Sequence, residues 1–305
     1  MMSTKIKTVF LGTSASTPTK NRNLSSVALR YNGEWLLFDC PEGTQRQMMK
    51  AKVSYLKINR IFISHFHGDH ILGLPGLFAT MNIHGRDWPL EIYGPKGIEQ
   101  LIKKTLELGM LKPEFEVKCF ESKKGIILKE TDFTITSVPL KHEVECFGYV
   151  FEEKDKLGEF DRTKAINLGI PIGPLFSELQ QGKKINVNGK TIKPDDVLDK
   201  SKARKGRKIS IIFDTLPDAG YINAIKESDL LIHESSFLEK MKERAKETFH
   251  STAKDAAKIA HKAKVKQLAL FHLSARHKED ELFENEARQE FHNAIVAQDL
   301  MEIEI

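Results

Sequence analysis

The chain has 305 residues, 40% of them hydrophobic, enough to enclose one large core or two small ones. Glycine, proline and charged residues occur at globular frequencies, and no apolar run approaches the roughly 18 residues of a membrane span. The net charge of +5 is unevenly spread: Lys156–Lys208 carries thirteen Lys and Arg against six Asp and Glu, a surplus of seven, which leaves the remainder acidic by two. Such a basic block suggests a polyanionic partner.

In chain order, the start Met1-Met2-Ser3-Thr4-Lys5-Ile6-Lys7 lacks the apolar segment and small-residue cleavage site of a secretory leader, so a cytoplasmic protein is expected. Thr8–Leu11 reads as a strand, followed by a polar loop through Asn23. Val27–Arg30 and Trp35–Phe38 read as strands joined at the turn signal Asn32-Gly33. Residues 43–52 have helical character. Arg60–Ser64 is a short apolar strand leading into a histidine cluster. Strands are expected at Leu90–Tyr93, Phe115–Cys119 and Phe133–Val138, with a helix over residues 97–108. Residues 155–207 are rich in Gly, Lys and Pro with little apolar periodicity, and read as an inserted flexible arm on a single domain spanning residues 1–305. Strands then resume at Ile209–Phe213, Asp229–Ile232, Leu268–Phe271 and Leu300–Ile303, separated by helical stretches near 218–227, 252–263 and 280–295. Strands first, then strands alternating with helices, suit an α/β sheet sandwich covered by helices. The three cysteines, Cys40, Cys119 and Cys146, are odd in number and far apart, so buried reduced thiols are expected rather than disulfides or a thiolate zinc site.

Five of the eleven histidines and two aspartates fall where chemistry can use them together. His65, His67, Asp69 and His70 share one loop after a strand. His142, Asp214 and His272 each follow the carboxyl end of a later strand, where a rigid scaffold aims side chains into one cleft. In an extended loop, residues two apart project to one side, so His65 and His67 can grip one ion. Gly68 permits a sharp turn, and Asp69 and His70 can face a second ion. Seven N and O donors suffice for two divalent ions with open positions. Two such ions would share a hydroxide, lower its pKa and stabilise charge on attacking and leaving oxygens. His84, His261, His277 and His292 lie on helical or polar segments and are expected to be solvated.

His65-Phe-His67-Gly-Asp69-His70, with His142, Asp214 and His272 in order after it, resembles the metallo-β-lactamase superfamily. That resemblance implies an αββα sandwich, one ion held by His65, His67 and His142, another by Asp69, His70 and His272, and Asp214 between them. Because the superfamily hosts many chemistries, the finer motifs matter. Pro18-Thr-Lys20-Asn-Arg22-Asn23, Phe38-Asp-Cys-Pro-Glu-Gly-Thr-Gln45, Gly169-Ile-Pro-Ile-Gly173-Pro174, Phe249-His250-Ser-Thr252 and Phe271-His-Leu-Ser274-Ala-Arg276 resemble motifs of ribonuclease Z in its short form. The family's His-Glu-Ala-Thr motif stands here as His233-Glu234-Ser235-Ser236.

The resemblance implies a zinc-dependent endoribonuclease that removes the 3′ trailer of precursor tRNA after the discriminator base, by attack of a metal-bridging hydroxide. Two Zn2+ per subunit, or other divalent ions such as Mn2+, and a homodimer whose protruding basic arm grips tRNA for the partner's site are further implications. Asp69 would also accept the water's proton. His250 would protonate the leaving oxygen with Glu234 orienting it, whereas His233 is expected to face the interior. Lys20, Arg22 and Asn23 would steer the RNA terminus. Ser274 and Arg276 would hold the scissile phosphate. Gly173 and Pro174 would lie in the tRNA-binding arm, which reads a helix by shape and backbone charge. Two rivals are a small-molecule hydrolase or phosphodiesterase of the same fold, which needs neither basic arm nor Pro-x-Lys-x-Arg-Asn loop, and a non-catalytic tRNA-binding or metal-storage protein, which needs no intact ligand set. A diiron oxidoreductase is disfavoured by His67, where that class usually has Glu.

Overall fold

The structure, a computed structural model, describes residues 5–108, 110–277 and 279–305. The leader reading rests on Met1–Lys7, of which Met1–Thr4 lie outside the described residues. No helix among the described residues is long and apolar enough to cross a membrane. The chain divides into two compact units, one of residues 1–129, 134–151 and 208–305, the other of residues 130–133 and 152–207.

The larger unit is built on two seven-stranded sheets. In the first, the strands follow the spatial order Glu302–Glu304, Lys7–Gly12, Ser26–Tyr31, Glu34–Phe38, Ile58–Phe62, Leu90–Gly94 and Val117–Glu121. In the second the order is Ala294–Val296, Leu268–Phe271, Leu230–Glu234, Lys208–Ile212, Cys146–Glu153, Phe133–Leu140 and Gly125–Lys129. Each sheet contains a run of four parallel strands. Strands covered on both faces need apolar residues at consecutive positions, which is why Thr-Val-Phe-Leu-Gly and Leu-Leu-Ile-His-Glu are buried throughout. The sheets meet through aromatic rings: Tyr149 of the second lies 5.4 Å from Phe62 of the first and donates its hydroxyl to Ile63 O at 2.6 Å. Outside the first sheet, Met48, Leu74, Phe78, Ile98 and Ile102 join its core. Helix Ala253–Ala263 covers the second, its alanines buried and its start closed by reciprocal Thr252–Asp255 bonds.

Most expected elements occur. Asn32 and Gly33 both take positive φ, 49° and 86°, as a type I′ hairpin requires. The corrections are local. The strand expected at Phe115–Cys119 runs Val117–Glu121, and Leu300–Ile303 becomes Glu302–Glu304 because Leu300 turns at φ 67°. The helix over 280–295 stops at Arg288, and Ala294-Ile-Val296 pairs onto the sheet edge. The stretch 218–227 holds only a 3-10 turn and helix Ile222–Ile225. Helix Leu74–Ile83 and strand Cys146–Glu153 carried no expectation; Leu-Pro-Gly reads as a turn, yet Pro75 sits in the first helical turn, where a missing N–H costs nothing. Cys40 and Cys146 are buried and Cys119 half-buried, all three free.

The smaller unit contains helices Arg162–Asn167 and Pro174–Gln180, the first capped by Asp161, and has a core of Ala165, Ile170, Leu179, Ile185, Ile192 and Val197. Strands Ile185–Val187 and Lys190–Ile192 form a hairpin on Asn188 and Gly189, both at positive φ. The sequence therefore contained an Asn-Gly turn signal that the reading of residues 155–207 as weakly periodic passes over. Glu153, buried, accepts from Arg204 at 2.6 Å and Arg207 at 2.8 Å. Burial pushes its carboxyl up, but the hydrogen bonds and charges of the two arginines outweigh this and hold it at about 2, against an ordinary 4.5. A depressed carboxyl stabilises the fold above its unfolded pKa and ceases to do so as pH falls through the folded value. Glu153→Gln should therefore cost about 2–3 kcal/mol at pH 7, less than breaking a fully enclosed pair, because the Arg204 side chain keeps 31% of its surface exposed. Urea melts should show the gap to wild type narrowing between pH 4.5 and pH 3; a gap independent of pH would contradict the ion pair.

Candidate metal centre and active site

The histidine loop begins where strand Ile58–Phe62 ends. His65 follows that strand in irregular chain, and His67 lies on extended backbone, as the spacing predicts. Gly68 does not make the sharp turn expected of it: it has no positive φ and opens the short helix Gly68–Ile71, which carries Asp69 and His70. A change from extended chain to helix, rather than a glycine turn, separates the two pairs of side chains.

His142, Asp214 and His272 arrive from the ends of strands in the second sheet. His65, His67 and His142 form one group whose ligating atoms lie within 4.8 Å of one another, and Asp69, His70 and His272 form another. Asp214, 2% exposed, sits between them. Its Oδ1 lies 3.2 Å from His272 Nε2, and its Oδ2 lies 3.5 Å from His70 Nε2, 3.7 Å from His65 Nε2 and 4.0 Å from His142 Nε2.

The outward nitrogens are occupied. His65 Nδ1 meets Ser64 Oγ at 2.9 Å, His70 Nδ1 meets Asp39 Oδ2 at 2.6 Å, His272 Nδ1 meets Ser236 Oγ at 2.9 Å and His142 Nδ1 meets Phe249 O at 3.1 Å. These partners turn each Nε2 inward, as anchored metal-binding imidazoles require. His67 is reversed, its Nδ1 facing His65 Nε2 at 3.0 Å. His70 Nε2, Asp214 Oδ1 and His272 Nε2 are buried without a hydrogen-bond partner among the described residues. Orphaned buried polar atoms of this kind are costly. Neutral imidazole and carboxylate donors at these positions fit divalent cations.

Asp39 is a residue the sequence reading quoted but gave no task. Besides His70, it accepts from Ser64 N at 2.7 Å and Ser64 Oγ at 2.6 Å, so one carboxylate fixes the histidine loop. Asp39, Phe249 and His272 all hold positive φ, 57°, 56° and 58°, and this left-handed backbone clusters at the site.

Beside the cluster stands His250, its Nδ1 3.3 Å from Glu234 Oε1. Burial disfavours the charged imidazole, but the charge and hydrogen bond of Glu234 prevail and raise it to about 9. Burial likewise pushes Glu234 up, and His250 pulls it below the ordinary range. Glu234 also accepts from Ser251 N at 2.6 Å and Ser236 N at 2.9 Å. Ser236 replaces the motif's threonine and keeps its hydroxyl, which meets Glu234, His250 and His272. His233 is buried and meets Tyr221 Oη at 2.9 Å. His84, His261 and His292 are exposed, His277 half-buried.

His250, Ser274 and Arg276 line a cavity of about 420 Å³ with Arg244, a cation the sequence reading missed because its helix, Lys242–Glu247, carried no motif. Lys20 is exposed. Arg22 turns inward, donating to Asp280 Oδ2 at 2.5 Å and Ala297 O at 2.8 Å, and Asn23 donates to Glu42 O at 3.0 Å. These two residues shape the loop that presents Lys20. Gly173 and Pro174 open a helix of the smaller unit.

Comparison with known proteins gives the geometry its family. Ribonuclease Z of Methanosarcina mazei is 42% identical over 98% of this chain and 98% of its own. That of Methanothermobacter thermautotrophicus is 45% identical over 98% and 97%. This chain belongs to the ribonuclease Z family. It is accordingly a hydrolytic endoribonuclease of the metallo-β-lactamase fold. The crystal structure of human tRNase Z, short form, superposes with a TM-score of 0.70 at 29% identity, covering 97% of this chain and 98% of that one. The metallo-β-lactamase fold protein YhfI of Bacillus subtilis, 19% identical with a TM-score of 0.72 and covering 99% and 100%, shares the fold. A family model described as anti-Pycsar protein Apyc1 matches residues 6–155.

Zinc titrated into chelator-treated protein should raise the melting temperature, by about 4 kcal/mol of linkage once the ion exceeds its Kd a thousandfold. Asp39→Asn should weaken zinc binding about 10–100-fold in a competitive chelator titration. Unchanged affinity would remove Asp39 from the ribonuclease Z centre.

Proposed function

We propose that this ribonuclease Z family member is a zinc-dependent nuclease that removes the 3′ trailer from precursor tRNA, leaving a tRNA 3′-hydroxyl and a 5′-phosphate on the trailer. The observation that supports it most is the His250–Glu234 pair standing beside the Asp214-centred cluster and opening onto a cationic cavity. His65, His67 and His142 would hold one ion, Asp69, His70 and His272 a second, and Asp214 would touch both. When bound, a pair of divalent ions supplies an acidified water and neutralises charge on the phosphodiester.

The chain's own groups do the rest. Asp69 is held ionised: burial pushes its carboxyl up, but hydrogen bonding and charge from His70 more than offset that and leave it well below the carboxylate range. An Asp69 Oδ atom accepts the proton of the attacking water. His250, anchored through Nδ1, delivers a proton from Nε2 to the departing 3′-oxygen, and Glu234 keeps that imidazole charged at neutral pH. Ser274 and Arg276 position the scissile phosphate, the guanidinium by its planar fork. Lys20 meets backbone charge at the RNA end, while Arg22 and Asn23 hold its loop.

The basic unit of residues 152–207, with Gly173-Pro174, grips the folded tRNA body by charge and shape, within a cytoplasmic homodimer. A small-molecule hydrolase would not need the surplus of seven positive charges over Lys156–Lys208.

Precursor tRNA with a 3′ trailer should be cut once, after the discriminator, and chelator or Asp69→Ala should abolish the cut. Scattered degradation, or cleavage that survives chelation, would refute the reading. His250→Ala should lower kcat about 10²–10⁴-fold in single-turnover assays. Deleting residues 160–204 should impair tRNA cleavage far more than hydrolysis of a small phosphodiester; equal loss on both would argue against the arm.

A further inference from the structure

Three cavities follow one another along the loop of residues 15–23. The first is the cavity of about 420 Å³ beside His250. The second, about 360 Å³, shares Ser274 and Ala275 with it and is walled by Thr19, Lys20 and Arg22. The third, about 450 Å³, shares Thr19 to Arg22 with the second and continues to Arg46, Gln47 and Lys50. Their shared lining residues set the three cavities in a row, a track that runs from the active site to a group of cations.

The charges along its far end are available. Among the described residues, no ion pair or side-chain hydrogen bond engages Lys20 or Arg46, and Lys50 Nζ donates to a neutral amide oxygen, Gln47 Oε1, at 2.9 Å. Two acids border the third cavity. Asp299 is already committed, accepting from Asn23 N at 2.6 Å, Gln47 Nε2 at 2.7 Å and Thr13 Oγ1 at 2.8 Å. Glu42 is exposed and offsets one of the three positive charges.

We infer that this track binds the single-stranded RNA on the 3′ side of the cut, the trailer, with Arg46 and Lys50 contacting its phosphates. The inference rests on the function proposed above and names a further part of the substrate's path. The base-paired acceptor stem lies on the 5′ side of the cut and does not continue past His250 with the trailer. The discriminator is one nucleotide and cannot reach from His250 to Lys50. The trailer alone is both single-stranded and long enough. The aromatic rings lining the track, Phe237, His250 and His277, all lie in the first two cavities and none in the third, so at that far end backbone charge rather than base stacking holds the strand, and recognition there tolerates any sequence.

The test uses two precursor tRNAs that differ only in trailer length, one nucleotide against ten, with the full-length metal-loaded enzyme. Wild type should prefer the long trailer roughly tenfold through KM, as two added phosphate contacts suggest. The variant Arg46→Gln/Lys50→Gln, altered at two exposed positions, should lose that preference and cut the short trailer at the wild-type rate. Its salt dependence on the long trailer should be shallower by about 1.4, at about 0.7 per single-strand phosphate. Absence of a length preference in wild type, or an equal loss by the variant on both substrates, would overturn the inference. If wild type cut neither precursor, the function it rests on would fall, and the track with it. Independently, 4-thiouridine placed at the third trailer nucleotide should cross-link within residues 18–50; cross-links confined elsewhere would also overturn it.

Discussion

Everything in the larger unit is arranged around one buried carboxylate, Asp214. An ionised carboxylate out of water costs several kcal/mol unless charge or hydrogen bonds answer it. Four imidazoles face it at 3.2 to 4.0 Å, His65 and His70 from the loop and short helix after a strand of the first sheet, His142 and His272 from strand ends of the second. Each imidazole needs a second partner to hold its ring, so the demand spreads outward to Ser64, Asp39, Ser236 and the Phe249 carbonyl. The left-handed backbone at Asp39, Phe249 and His272 is the conformational cost of aiming those groups at one point.

The same economy of partners joins the histidine–aspartate cluster to the His250–Glu234 pair. Ser236 Oγ touches Glu234, His250 and His272, so one hydroxyl belongs to both. Glu234 is fully buried and bonded on both oxygens. Networks this enclosed fix geometry strongly, because any member left unsatisfied is expensive. Serine in place of the motif's threonine keeps the oxygen on which the network turns.

The histidine and aspartate pattern was legible because its spacing is one-dimensional: residues two apart on a loop, then single residues at strand ends. The strands were legible because burial on both faces demands unbroken apolar runs. What the sequence concealed depends on partners far along the chain. Arg22 reads as an RNA-steering cation, yet its charge is answered by Asp280, which only the fold brings near. Asp39 looks like one letter of a motif until His70 is seen against it. Gly68 suggests a turn and instead begins a helix. In the basic segment, helices of six and seven residues are too short to print a period, although Asn188-Gly189 was a readable hairpin sign.

The first sheet closes by pairing Lys7 with Glu304 and Thr8 with Ile303, and Ser14 bridges to Leu273 beside His272. Such contacts span almost the entire sequence, so chain closure is entropically expensive and late. A polypeptide still being synthesised has His65, His67, Asp69 and His70 in place long before Asp214 and His272 emerge. With the proposed ligand set, the metal centre is therefore incomplete until the last strands join the sheets.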